Sequence, residues 1–199
     1  YAQEILSPEF GEKLDEVLKE KRSQLFGILN GIDYEIFNPK ADPQLSFKYG
    51  ASNLRERNKN KSVLQKRVNL PEDDSKFIVS FVGRLDEQKG INLLIPIIDS
   101  LLENLDFQLI LVGTGENDFR VFFQELQARH PKQVSATLQF DHDLPKMIFS
   151  GADIVLIPSR FEPSGLVQME AMRYGAIPLV RKVGGLADSV SNYNPEKSK

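Results

Sequence analysis

The chain has 199 residues, 41% of them apolar and 27% charged, which fits one globular domain or slightly more. A net charge of −3 gives no field that would recruit nucleic acid or an anionic membrane, and no apolar run reaches the roughly 18 residues a spanning helix needs. Cysteine is absent, which excludes disulfides and thiol catalysis.

The first 75 residues differ in character from the rest. SPEFGEKLDEVLKEKRSQL (7–25) predicts a helix with Leu14, Val17 and Leu18 on one side. FGILNGIDYEIFNP (26–39) predicts a strand-like piece, then turn chemistry at Asn30-Gly31. A loop through ADPQLSFKYGASN leads to a basic helix over 54–70 that ends at Pro71. Between Lys48 and Arg67 there are seven Lys or Arg and one Glu, which reads as a solvated surface helix ahead of a polyanion site.

From Phe77 onward strands and helices alternate. KFIVSFVG (76–83), FQLILVG (107–113), QVSATLQF (133–140), DIVLIPS (153–159) and AIPLVR (176–181) are strand patterns. Helical patterns over 90–105, 116–130, 143–152, 165–175 and 184–190 follow them in turn. Pro96 predicts a kink or a delayed start in the first of these. The alternation predicts an α/β fold, a Rossmann-like doubly wound parallel sheet over 76–199, with 1–75 as a segment of helices and loops leading into it. YAQEILSPEF has neither an initiating Met nor the features of a signal peptide, and NYNPEKSK trails off polar. Both ends read as cuts through a longer protein that is not secreted.

In doubly wound sheets, ligands bind beyond the carboxyl ends of the strands. The loops at those ends are GRLDEQKG, GTGEND, FDH (140–142), SRFEPSGL and RKVGG. Glycines and charges therefore gather on one rim. Arg84 and Lys89 flank one strand-to-helix turn, where two cations could clamp a diphosphate; a solvated loop with an Arg84–Asp86 pair is the plain alternative. Gly165 and Leu166 are expected to open a helix and present free N–H groups to an anion, with Pro163 fixing the approach. Glu162 and Glu170 are carboxylates able to hold sugar or ribose hydroxyls, and Glu170 reads equally as a surface helix residue. Nothing else supports a hydrolytic acid/base pair. His130 and His142 lack metal-ligand spacing, and GTGEND, with Asp118 in place of a third Gly, is an incomplete dinucleotide fingerprint.

The set GRLDEQKG, GTGE, SRFEPSGL, RYGAIPLVRKVGGLADSV and LNGID resembles the glycogen/starch synthase family of glycosyltransferases over essentially the whole chain. The resemblance implies the second, C-terminal domain of a two-domain GT-B enzyme, truncated at both ends. Such an enzyme moves glucose, with retention, from ADP-glucose or UDP-glucose to the non-reducing end of an α-1,4-glucan. It needs no metal and no other cofactor. The resemblance assigns Arg84 and Lys89 to the leaving diphosphate and Glu162 to the glucose hydroxyls. It assigns the backbone at Gly165 and Leu166 to phosphate or glucose, Phe140 to the nucleobase, and Asn30 to the surroundings of the donor sugar, and it adds Gly83 and Ser164 to the donor-binding set. Ser164 departs from the family's usual Cys. Glu170 completes an E-x7-E spacing typical of related retaining transferases, in which the second Glu binds ribose. The implied partners are the sugar nucleotide and a glucan held by another domain, with no nucleic acid or membrane. The implied location is the bacterial cytoplasm or a plastid, and the isolated chain is expected to be inactive. A sucrose-synthase-like transferase and a non-catalytic nucleotide-binding module are the rival readings.

Overall fold

Five runs rich in branched apolar residues pair side by side in a computed structural model that describes residues 1–197. The strands are β1 (Phe77–Val82), β2 (Phe107–Val112), β3 (Val134–Thr137), β4 (Ile154–Ile157) and β5 (Ile177–Val180). All pairings are parallel and the order is β3-β2-β1-β4-β5. Parallel neighbours need crossovers, and helices supply them. Those helices are α3 (Ile91–Asn104), α4 (Asn117–Arg129), α5 (Leu144–Gly151) and α6 (Val167–Arg173); α7 (Gly184–Ser189) follows β5, and α1 (Asp15–Glu20) and α2 (Lys59–Arg67) precede the sheet. The α/β expectation therefore holds.

Alternation along the strands builds two cores. Ile78, Ile110, Val112, Val155 and Ile157 face a layer containing Leu64 of α2, Ile148 and Phe149 of α5, and Ala171 of α6. Phe81, Leu109 and Leu111 face α3 and α4 through Leu94, Ile98, Phe123 and Leu126. β2 is buried along its whole length, as a central parallel strand should be. Leu45, Tyr49, Leu64, Val68 and Leu70 belong to the first core, so residues before β1 pack against the sheet.

The basic helix is shorter than its pattern suggests, running from Lys59 to Arg67 after a 3-10 stretch over Ala51–Asn58. Cations of this helix and of the 3-10 stretch before it tie the fold together. Arg57 donates to the carbonyls of Tyr174 (2.8 Å) and Ala152 (2.5 Å). Lys61 pairs with Asp153 at 2.9 Å, and Arg67 with Asp141 at 2.8 Å. A buried amide pair, Gln65 to Gln108 at 2.8 Å, ties α2 to β2.

Two expectations for the N-terminal region fail. The helix expected over 7–25 is reduced to the six residues of α1 and short 3-10 turns, and Leu14 and Val17 stay exposed because no apolar layer lies opposite them among the described residues. No strand forms among residues 26–39, and the turn comes at 34–36, where Asp33 Oδ1 accepts from the N–H groups of Glu35 and Ile36. By contrast α3 starts at Ile91 without delay and runs unbroken through Pro96, whose ring lies on the exposed side.

Candidate active site

The strand order reverses between β1 and β4. Chain direction carries β2 and β3 to one side of β1, and β4 and β5 to the other. Crossover helices on opposite faces leave a crevice at such a switch point, outside the carboxyl ends of the two central strands. The loops that follow β1 and β4 are those with the most chemistry in the sequence.

The loop after β1 is pinned at both ends. Asp86 Oδ1 accepts from the Lys89 N–H at 2.8 Å. Gly90 then takes φ 76°, and a Cβ there would collide with the carbonyl of Pro158. That close approach presses the β1 loop against the end of β4. The Gln88 carbonyl accepts from Arg160 N–H at 2.9 Å, and Gln88 Nε2 reaches Phe161 O at 3.4 Å.

Across this contact Lys89 Nζ meets Glu162 Oε2 at 2.5 Å. Both side chains are largely buried, and Ser159 Oγ donates to the same carboxylate oxygen at 3.2 Å. Residues 73 positions apart in sequence therefore form one cation–carboxylate pair over the switch point. Removing one partner of such a pair leaves an uncompensated charge, a cost of about 3–5 kcal/mol when burial is complete. Arg84 is more open. Its guanidinium lies 2.9 Å from Asp86 and donates to Gln88 Oε1 at 2.9 Å, so the Arg84–Asp86 pair of the plain reading is present.

Beside this pair lies a hollow of about 230 Å³ lined by Gly83, Arg84, Gly113, Thr114, Phe140 and Pro145, among others. Phe140 is 83% exposed, an unusual state for an aromatic ring and one that leaves a face free to stack. Gly83, Arg84 and Phe140 are thus brought together, and so are Lys89 and Glu162.

The other expected residues fall less evenly. Gly165 has φ 69° and cannot be helical, so α6 begins at Val167 with Leu166 as its N-cap, two residues later than the sequence suggests. Ser164 lies in the same turn, its Oγ buried without a hydrogen-bond partner. Glu170 is on α6 and faces Lys146 of α5. Burial raises its pKa above the ordinary value, opposed by the Lys146 charge. Asn30 is exposed in the irregular N-terminal segment; its neighbours Leu25–Leu29 and Pro163 line a second hollow.

Sequence reasoning passed over Ser159, Gln88, Gln168 and the Gly184–Gly185 pair as parts of this site. Gln168 carried a readable signal. It stands three residues after Gly165, a polar residue on the buried face of α6 with Ala171. The contact of Gly185 N–H with the Glu162 carbonyl, at 2.9 Å, depends on how α7 folds back, which no local pattern reveals.

Comparison with known proteins fits this geometry. The family Glycosyl transferases group 1 matches residues 63–196. The chain belongs to that family. Among curated relatives, it is 47% identical over 197 residues to glycogen synthase 1 of Methylococcus capsulatus, covering 99% of this chain and 40% of that protein. It is 46% identical to the glycogen synthase of Petrotoga mobilis, covering 100% and 41%. The catalytic domain of starch synthase IV from Arabidopsis thaliana, solved with ADP and acarbose bound, superposes with a TM-score of 0.91 at 36% identity, covering all of this chain and 41% of that one. The C-terminal domain of a glycosyl transferase group 1 family protein from Francisella tularensis shares the fold at 19% identity, with a TM-score of 0.55 over 81% of this chain and 76% of that one. The fold is that of a GT-B C-terminal domain, and the chain spans about two fifths of the length of the curated relatives it matches.

Proposed function

We propose that this chain is the donor-binding domain of a glycogen- or starch-synthase-type enzyme, which moves glucose with retention from a nucleoside diphosphate glucose to the non-reducing end of an α-1,4-glucan. The observation that carries the reading is the Lys89–Glu162 pair, which puts a cation and a carboxylate from two different loops at the switch-point crevice. In the reaction the bond between glucose C1 and the diphosphate oxygen breaks, and its electron pair leaves with the diphosphate. The 4-hydroxyl oxygen of the acceptor bonds to C1 on the same face, and its O–H bond breaks as the proton passes to an oxygen of the departing diphosphate. Arg84 and Lys89 stabilise the negative charge as it develops on the leaving group, a task suited to fixed cations in a site that excludes water. Glu162, released from Lys89, accepts hydrogen bonds from glucose hydroxyls. Phe140 covers the base and Glu170 faces the ribose. The ADP bound to the starch synthase neighbour supports an adenine nucleotide as donor, but an exposed Phe stacks on any base. A bacterial cytoplasmic enzyme is the matching setting, given the bacterial synthases among the relatives.

The test has two arms. Calorimetry of this chain with ADP, UDP and ADP-glucose should give binding to at least one; silence with all three favours a non-catalytic module. In the full-length enzyme, Lys89→Ala and Arg84→Ala should each lower kcat by roughly 10²–10³, more than they weaken donor binding. A larger effect on KM than on kcat would mean that these cations only hold the ground state. The 199-residue chain alone should extend no glucan, and measurable extension would overturn that part of the reading.

A further inference from the structure

The turn from Glu162 to Leu166 is held from behind by its carbonyls. The Glu162 carbonyl accepts from Gly185 N–H at 2.9 Å. The carbonyls of Ser164 and Gly165 both accept from Nε2 of Gln168, at 3.1 and 3.0 Å. The same nitrogen lies 2.9 Å from Ser189 Oγ, which donates in turn to Gly185 O at 2.6 Å. A carboxamide has two N–H groups to share among these three acceptors.

Gln168 is fully buried, and its Oε1 has no hydrogen-bond partner. An orphaned buried acceptor costs about 1–3 kcal/mol, a cost that Met or Leu at this position would avoid. Glycines at 184 and 185 close the other side of the turn, since a Cβ on either would collide with the Glu162 or the Ser164 carbonyl. Hydrogen bonds to the carbonyls of Glu162, Ser164 and Gly165 therefore fix how these peptide planes face.

In a trans peptide the C=O of one residue and the N–H of the next point in opposite directions. With the Ser164 and Gly165 carbonyls drawn in toward Gln168, the N–H groups of Gly165 and Leu166 point away from the α6–α7 packing. Neither donates to another group among the described residues. The Glu162 carbonyl is likewise drawn in, and the residue after it is Pro163, which has no N–H to leave unpaired.

We propose that Gln168 is a positioning residue for donor binding: its side-chain amide fixes the two peptide planes so that the N–H groups of Gly165 and Leu166 meet oxygens of the sugar-diphosphate end of the donor. The proposal rests on the donor-binding reading above. Gln168 itself touches no ligand. Gln168→Met keeps the volume and removes both donors. Gln168→His keeps one N–H at similar reach.

The experiment measures, in the full-length enzyme, the affinity for the sugar nucleotide and for the corresponding nucleoside monophosphate, beside the melting temperature. Gln168→Met should bind the sugar nucleotide roughly 10- to 100-fold more weakly and the monophosphate within about twofold of the parent. Gln168→His should fall between Met and Gln, and it also serves as the readout if the Met variant does not fold. Ser189→Ala, which leaves both carbonyls held, should be silent in both affinities. Equal weakening of both ligands, or unchanged sugar-nucleotide affinity in the Met and His variants, overturns the role of Gln168. Failure of the parent enzyme to bind the sugar nucleotide overturns the donor reading itself, so the two failures are told apart.

Discussion

The two ends of the sheet are built differently. At the β3-β2-β1 end, β1 and β2 pair over six residues and both faces carry helices. At the β4-β5 end the strands have four residues; β4 still sends Leu156 into the α3–α4 core, but β5 is covered on the α5–α6 face alone. On the opposite face Ile177 and Leu179 of β5 are 65% and 54% exposed, in register with Ile154 and Leu156 of β4. On α3, Leu93 and Ile97 are also exposed. The site lies where these two ends meet. One wall, the loop after β1, grows from a strand packed on both sides. The other, the loop after β4, grows from a strand anchored mainly from one layer and from the residues before β1. Tyr49 Oη donates to the Tyr174 carbonyl at 2.7 Å, Arg57 shares that carbonyl, and Glu4 Oε1 accepts from Gly184 N–H at 2.8 Å.

If that contrast is right, stability should be spread unevenly. Phe81→Ala, in the doubly covered half, should cost about 3–5 kcal/mol in urea unfolding, because the ring is fully buried and its cavity cannot collapse. The seam between the halves should fail in alkali. Burial pushes the Tyr49 hydroxyl up to about 12, and Tyr174 is raised as well, by burial and by its hydrogen bond to Asp42. Below pH 10 both states keep the Tyr49 proton and nothing changes. Between pH 10 and about 12 only the unfolded chain loses it, so stability falls by about 3 kcal/mol through that window. Urea midpoints across that range, against Tyr49→Phe, would show it; a flat profile would mean the hydroxyl is not shielded. Arg57→Ala should cost about 2 kcal/mol, since the carbonyls it caps lose a charged donor. At the far end, Leu179→Lys should stay within about 0.5 kcal/mol of the parent, as for other exposed positions. A large loss there would show that β5 is more closely packed than its exposure indicates.

How much of this was legible varied with the length scale of the cause. Runs such as KFIVSFVG could be read as buried strands because two-sided burial demands continuous apolar sequence, and the alternation with helical patterns gave the parallel sheet. The family resemblance, carried by long ordered motifs, gave the glycosyltransferase reading. The N-terminal segment misled because Leu14, Val17 and Leu18 carry helical spacing whether or not a layer exists to cover them. The partnership of Lys89 with Glu162 was out of reach of local patterns, since it follows from β1 and β4 being neighbours in the sheet. Gln168 lay between these cases. Its place on the helix face of Ala171 was visible, but the direction in which it turns two carbonyls needed three dimensions.

The strand order also sets a timetable. The β1-β2-β3 half of the sheet can be completed once residue 137 has been made, but the other edge of β1 stays open until β4 has been made, some twenty residues later. The N-terminal arm waits longest, for Glu4 finds its partner at Gly184 and Phe10 stacks on Phe161. At a synthesis rate of roughly 5–20 residues per second, that arm spends on the order of ten seconds or more without its docking surface. The earliest part of this chain to leave the ribosome is therefore among the last to be put in place, and until β4 has been made the open edge of β1 is a surface on which a nascent chain can go astray.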